Sequence, residues 1–191
     1  MTAGNGATTR SERSRAAILR AAYDLIAELP YAEITIEKIA TRAGVGKPTI
    51  YRRWPSKGPL LLDAFIEYIF PPVAVATGDF GADVRNWLHR LVDFLTNPAT
   101  GRITAELVGA MQVDRDLADA WNERLFQPIR VDNLALVRAA QQCGQLRDGS
   151  PDLLVDMLVG PIWFRLLISR QPLTHAQLDE MLDLSLAGVT A

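Results

Sequence analysis

A run of basic side chains follows a glycine-containing turn early in the chain. Lys47, Arg52 and Arg53 come soon after Gly44-Val45-Gly46, and Lys57 lies a few residues further on. Lysine and arginine donate hydrogen bonds to phosphate oxygens and to O6 and N7 of guanine. Basic side chains on a short helix therefore suggest an element that contacts DNA, and a solvated helix face is the alternative.

The sequence gives little support for a metal site, a phosphate-binding loop or a disulfide framework. His89 and His175 are 86 positions apart and have no HExxH or cysteine partner, which argues against a histidine-based metal site. The pair Gly46-Lys47 lacks the first glycine and the Ser/Thr of a phosphate-binding loop. Because Cys143 is the single cysteine, an intrachain disulfide framework and a multi-thiolate zinc site are excluded. We therefore expect no enzyme activity, no metal and no cofactor.

Two short helices are expected to position the basic segment. Thr35 suits the N-cap of a helix over Ile36–Ala43. A second helix is predicted over residues 47–54, with Pro48 at an early position where its missing N–H would have been unpaired. A longer amphipathic helix over residues 11–29 precedes them. This order is typical of a helix-turn-helix, whose second short helix fits the DNA major groove.

The rest of the chain also reads as helix broken by short turns. No stretch of alternating β-branched residues is long enough to build a sheet, so we expect an all-α fold of about nine helices. A helix is predicted after Ser56, and the later ones over the ranges 79–95, 98–113, 116–142, 151–169 and 174–187.

The formal charge changes sign along the chain. Residues 1–58 carry ten Lys or Arg and five Asp or Glu side chains, a formal charge of +5, whereas residues 59–191 carry −7. A basic end joined to an acidic remainder suggests that one end meets a polyanion. We predict a disordered tail over residues 1–10, a helix-turn-helix DNA-binding domain over 11–58, and a ligand-binding and dimerisation domain over 59–191.

A cytoplasmic location is expected. The polar N-terminus has no apolar segment of the kind found in secretory signals. The longest apolar stretch, residues 153–168, contains Asp156, Pro161 and Arg165 and falls short of the roughly 20 residues that a membrane span requires. A single cysteine also fits a reducing compartment.

Residues 34–57, ITIEKIATRAGVGKPTIYRRWPSK, closely resemble the DNA-binding region of the TetR family of bacterial transcriptional repressors. The resemblance extends over about residues 15–65. The acidic remainder looks like the ligand-binding and dimerisation domain of that family. Within it, DRDLA at 114–118 and LVGPIWFRLL at 158–167 resemble one actinobacterial-type subgroup.

The resemblance implies roles for individual residues. Base edges are expected to meet Lys47, Pro48 and Arg52. Phosphates are expected to meet Thr35, Thr49, Tyr51, Arg53 and Lys57. Trp54 stands where the family usually has an aromatic residue that packs beneath the unit. Independently of the resemblance, Arg10, Arg13 and Arg15 are candidates for an arm that reaches the minor groove, as arms on other helix-turn-helix proteins do, and a solvated tail is the alternative.

A helix-turn-helix of this size usually works in pairs, because two recognition helices about 34–36 Å apart enter successive major grooves. The resemblance supports a homodimer whose four-helix interface uses the last two helices of each subunit. The candidate interface residues are Leu158, Ile162, Leu166, Leu178, Leu182 and Ser185. The alternative is that both helices pack inside one subunit.

The resemblance also implies a small-molecule effector. Candidate ligand-binding residues are Trp87, Arg90, Phe94, Met111, Trp121, Phe126 and Trp163, and ordinary core packing is the alternative for each aromatic one. Together these features indicate a transcriptional regulator that binds a palindromic operator on double-stranded DNA as a homodimer and is released by an effector. The alternative is a helical ligand-binding or protein-interaction module without operator recognition. Activation instead of repression stays open.

Overall fold

The computed structural model describes residues 4–71 and 77–188, and in these ranges every regular element is helical. The α-helices are α1 (Gly4–Glu28), α2 (Ile36–Ala43), α3 (Lys47–Tyr51), α4 (Lys57–Tyr68), α5 (Phe80–Thr96), α6 (Pro98–Ala110), α7 (Arg115–Trp121), α8 (Gln127–Gln142), α9 (Pro151–Trp163) and α10 (His175–Leu186). A 3-10 turn covers Tyr31–Glu33, and π-helical segments cover Asn122–Phe126 and Phe164–Ile168. Because the first π segment joins α7 to α8 without a break, these make nine helices. The all-α prediction is confirmed.

Side-chain caps begin five of these helices. Thr35, Asp79, Asp114, Ser150 and Thr174 each accept a hydrogen bond from the backbone N–H three residues further on. Such a bond satisfies one of the N–H groups that the first turn of a helix leaves unpaired. These short polar residues are why most predicted starts agree with the structure to within a residue or two.

Two boundaries differ from the prediction. Helix α1 begins at Gly4, so residues 4–10 of the expected disordered tail are helical. Extending an existing helix backward adds a hydrogen bond for each residue without a new nucleation step. Helix α3 ends at Tyr51 instead of residue 54. There the N–H groups of Arg53 and Trp54 both donate to the Ile50 carbonyl, at 2.9 and 3.0 Å, and this turns the chain inward.

The chain divides into two compact units, and the first comprises Met1–Phe70 and Ile103–Leu125. In this unit α1 packs against α2 and α4, and α4 packs against α7. The core of the unit contains fully buried side chains from all four helices, among them Ile18, Ile39, Phe65 and Leu117. Residue 58, where the charge pattern predicts a domain boundary, lies inside this unit because the apolar faces of α1 and α7 both pack on α4. The prediction that a DNA-binding domain ends at residue 58 therefore concerns function instead of compactness, and it stays a prediction.

The second unit comprises Pro71–Arg102 and Phe126–Ala191. Its core is formed where α5 and α9 each pack against α8 and α10. Four candidate interface residues, Leu158, Ile162, Leu178 and Leu182, lie in that core with at most 3% of their surface exposed. The inner faces of α9 and α10 cover these four side chains within the protomer, as the intra-subunit alternative expects, and their role at a dimer interface stays a prediction. No helix among the described residues has the length and apolar character needed to cross a bilayer.

Candidate nucleic-acid interface

A left-handed glycine connects the two short helices. Gly44 has φ 66° and ψ 33°, a conformation that costs glycine little because it has no Cβ. Its N–H donates to the carbonyls of Ala40 and Thr41, and the N–H of Val45 donates to Ala40 at 3.0 Å. These bonds satisfy carbonyls at the end of α2 and turn the chain into α3. The predicted helix-turn-helix is therefore present.

The inner sides of α2 and α3 form part of the first unit's core. Ile39 and Ile50 are fully buried, and Ile36 and Ala40 are nearly so. Trp54, predicted to pack beneath the unit, is 2% exposed. Its indole N–H donates to Asp63 at 2.8 Å.

The outer side of α3 carries the residues predicted to read bases. Lys47, Pro48 and Arg52 are all exposed. Arg52 directly follows the five residues of α3, and its side chain has no ion pair or hydrogen bond with any part of the chain that the structure describes. A guanidinium in this position keeps all its donors available for a base edge.

Lys47 pairs with Glu37, so the outer sides of α2 and α3 are joined by an ion pair. The hydrogen bond with the Glu37 carboxylate raises the pKa of Lys47, and the same bond lowers the pKa of Glu37. Both side chains are about half exposed, so water and salt screen the pair. A phosphate or base edge can therefore compete for the ammonium at little cost.

The residues predicted to meet phosphates have different surroundings. Thr35 and Tyr51 are exposed, and Thr49 is half-buried. The Thr35 hydroxyl accepts the N–H of Lys38 at 3.2 Å. Arg53 is exposed, and its guanidinium donates to the hydroxyl and carbonyl of Ser11 in α1. That contact holds Arg53 against the first helix.

Lys57, also predicted to meet a phosphate, is held by contacts inside the protein. Its ammonium donates to the carbonyls of Tyr31 and Ile34, at 2.8 and 3.0 Å, and lies 4.4 Å from the centre of the Tyr31 ring. Desolvation lowers the pKa of this half-buried amine. Two of its three protons are therefore used inside the protein. Ser56 occupies the N-cap position of α4 as predicted, but its hydroxyl forms no capping bond.

Next to Lys57, α4 and α7 are in close, buried contact. The Tyr31 hydroxyl donates to Asp114 at 2.6 Å, and burial, followed by that hydrogen bond, raises the pKa of Tyr31. A Cβ built on Gly58 would lie 2.8 Å from the Cβ of Leu117, inside van der Waals contact. Sequence reasoning missed this contact, since a glycine in a helix carries no sign of what lies opposite it.

Arg10, Arg13 and Arg15 do not together form a free N-terminal arm. They lie within α1, and Arg15 forms an ion pair with Glu67 of α4 at 2.9 Å. Arg10 is exposed.

The predicted ligand-binding residues are divided between the two units. Of these only Trp87 lines the cavity of about 500 Å³ found in the second unit. Met111 and Trp121 belong to the first unit, where Trp121 stacks on Phe65 with ring centroids 6.2 Å apart. Phe94 and Trp163 pack on the second unit's core, whereas Arg90 and Phe126 are exposed. The arrangement favours the core-packing alternative for most of the aromatic residues.

An exposed apolar face lies on the last two helices. Leu153, Met157, Phe164 and Ile168 recur along α9 and the π segment that follows it, and each is more than half exposed. Leu184 of α10 is 74% exposed. Of the predicted interface residues only Leu166 and Ser185 are half-buried instead of buried. The prediction therefore named helices that carry an exposed apolar face, but most of the residues that it named lie on the buried sides of those helices.

Two family models match most of the chain. Residues 18–64 match bacterial regulatory proteins of the tetR family, and residues 74–185 match the tetracyclin repressor-like C-terminal domain. An uncharacterized HTH-type transcriptional regulator of Bacillus subtilis, YdeS, is 35% identical over 95% of this chain and 92% of its own. Another such regulator, Rv1556 of Mycobacterium tuberculosis, is 30% identical over 83% of this chain and 79% of its own. The crystal structure of the TetR family transcription regulator SCO0332 is similar with a TM-score of 0.75 and 35% identity, over 93% of this chain and 99% of that one.

Proposed function

The chain belongs to the TetR family of bacterial helix-turn-helix transcriptional regulators, and we propose that it represses transcription by binding a palindromic operator as a homodimer. Family membership does not favour the alternative of a helical module without operator recognition. The observation that carries the proposal is the exposed side of α3. Lys47 and Pro48 of α3 and Arg52 directly after it are exposed, while Ile50 is fully buried in the core.

We assign different tasks to the basic residues of this surface. Arg52, which has all its donors available, reads a base edge, since arginine forms a bidentate contact with guanine. Lys47 joins it once its exposed pair with Glu37 opens. Thr35, Thr49, Tyr51 and Arg53 meet phosphates and position the helix without reading sequence. Lys57 stabilises this surface from inside the protein, because its ammonium donates hydrogen bonds to the carbonyls of Tyr31 and Ile34.

Dimerisation supplies the second recognition helix. The exposed apolar stripe of α9 and Leu184 of α10 fit a symmetric interface in which the same surface of each copy meets its equivalent. Large apolar side chains in a contiguous exposed patch mark such contacts in folded proteins. Leu166 and Ser185 adjoin this interface, and the four buried candidates support it from inside.

Release from DNA requires an effector that binds two conformations of the dimer unequally, since equal affinity would shift no population. We place the effector in the second unit, which carries most of the match to the family's C-terminal domain and contains the cavity next to Trp87.

Selection of bound fragments from genomic DNA by the purified protein, at about 150 mM salt, tests the function. A palindromic motif with half-sites about one helical turn apart is expected. Arg52→Ala should weaken binding to that motif by about 1–3 kcal/mol and relax one base position. Arg115→Ala is the matched control, because Arg115 is an exposed arginine of the same unit outside the helix-turn-helix. Equal losses for Arg52→Ala on the motif and on random DNA would contradict base reading.

A further inference from the structure

The cavity of the second unit lies between the first turns of α5 and one side of α8. Its wall is mainly apolar and includes Phe80, Trp87 and Leu136. A volume of about 500 Å³ lies in the range of about 300–1,000 Å³ that is usual for small-molecule sites. The apolar wall therefore suits a small molecule with a substantial hydrocarbon part.

The charged side chains on this wall have one sign. They are Asp83 of α5 and Asp132 of α8, and no lysine, arginine or histidine is among the described residues that line the cavity. Such a site disfavours carboxylates, sulfonates and phosphates, since no cationic group among the described residues of its wall offsets a further negative charge.

Asp83 is a covered anion without a cationic partner. It is 8% exposed, and its carboxylate accepts the hydroxyl of Thr77 at 2.7 Å and the N–H groups of Thr77 and Gly78 at 2.9–3.1 Å. These bonds lower the pKa of Asp83, so the group is ionised at neutral pH. In the described ranges no lysine, arginine or histidine pairs with it, although covered charges in proteins are normally paired.

Asp132 and Trp87 are two further residues of the cavity wall that suit a cationic ligand. Asp132 is exposed and accepts no hydrogen bond or ion pair from the part of the chain that the structure describes. Trp87 is half-buried at the wall, and an indole face attracts a cation through its ring quadrupole. Two carboxylates and an indole around an apolar space are the groups that recognise an ammonium ion with hydrocarbon substituents.

We propose that this cavity binds an organic cation, a substituted ammonium ion with an apolar part, and that this cation is the effector. The proposal rests on the regulator function proposed above. The charge of the ligand is directed to Asp132 and Asp83, and its hydrocarbon part lies against Trp87, Phe80 and Leu136.

Titration calorimetry on the full-length protein tests the site with known probes. The probes are tetramethylammonium, benzyltrimethylammonium and benzyltriethylammonium, with phenylmethanesulfonate as an anion of similar size. We expect saturable binding of at least one ammonium ion and none of the sulfonate. Asp132→Asn should weaken ammonium binding about tenfold, and Trp87→Leu should weaken it several-fold. Glu180→Gln is the matched control, because it removes an exposed carboxylate of the same unit outside the cavity.

Asp83→Asn is informative only if circular dichroism shows a folded protein, because Asp83 also holds Thr77 and Gly78. Asp132→Asn does not have this difficulty, because Asp132 accepts no hydrogen bond from the described part of the chain. Absence of saturable ammonium binding, equal binding of the sulfonate, or an Asp132→Asn affinity within twofold of wild type would each overturn the proposal.

A gel-shift assay with the selected operator separates this proposal from the proposed function. If the protein binds its operator but no ammonium ion, the effector class is wrong and the regulator function stands. If an ammonium ion binds through Asp132 but no operator is found, the cavity assignment stands and its role as an effector site fails. Release of the operator by the bound ammonium ion supports both.

Discussion

Replacing Gly58 by alanine tests the close contact between α4 and α7. The added Cβ would lie 2.8 Å from the Cβ of Leu117, 3.0 Å from the Asp114 carboxylate and 3.2 Å from the Tyr31 hydroxyl. Carbon atoms in contact normally lie about 3.5–4.0 Å apart, so the helices must separate by close to 1 Å. The obstructing Leu117 atom is next to the backbone and cannot rotate away.

The expected cost follows from overpacking. Forcing one extra carbon into a closely packed site costs about 1–3 kcal/mol. For a protein of this size that corresponds to a fall in Tm of about 2–12 °C. The measurement is thermal unfolding of purified wild type and variant, followed by circular dichroism at equal protein concentration.

Gly109→Ala is the matched control. Gly109 lies in α6 of the same unit, and a Cβ built there meets nothing within 4 Å. Both substitutions reduce the conformational entropy of the unfolded chain equally, and alanine in an open helical position stabilises by about 0.5–1 kcal/mol. The control should therefore raise Tm while Gly58→Ala lowers it. If both variants raise Tm alike, α4 and α7 are not in close contact at Gly58.

Three further predictions concern other contacts. Lys57→Met should lower the free energy of unfolding by about 1–3 kcal/mol, because two backbone carbonyls lose their donor. It should leave the salt dependence of operator binding unchanged, and a slope smaller by about one would instead place Lys57 on a phosphate. The raised pKa of Tyr31 adds stability below pH 10, since the unfolded chain begins to lose this proton near pH 10 and the folded chain keeps it. Urea unfolding should show wild-type stability falling as the pH rises from 9 to 11, and Tyr31→Phe should lose this part of the fall. Phe164→Glu should dissociate the homodimer in light scattering, and Val113→Glu, exposed in the other unit, should not.

Much of the fold follows from local sequence. Thr35, Gly44 and Pro48 each act within a few residues of their own position, so α2, the turn and the start of α3 were predictable. The buried sides of α1 and α2 follow from apolar spacing for the same reason. The family was also identifiable from residues 34–57 alone, because these residues combine turn, core and contact positions in one continuous segment.

The candidate site was predicted less completely. Exposure of Lys47, Pro48 and Arg52 agrees with their expected role, since a helix with Ile50 inside must turn neighbouring positions outward. The internal hydrogen bonds of Lys57 could not be predicted, because its acceptors Tyr31 and Ile34 lie more than 20 residues away.

The sequence by itself determined the helices, their caps and the helix-turn-helix, because each depends on interactions between residues near one another in the chain. Only the tertiary structure decided which side of α9 is buried, since both sides are apolar and the partners on α8 and α10 determine the choice. It likewise decided that Asp83 and Asp132, 49 positions apart, share one cavity. Burial and charge at a site are sums over neighbours from distant segments, and the order of residues does not record those neighbours.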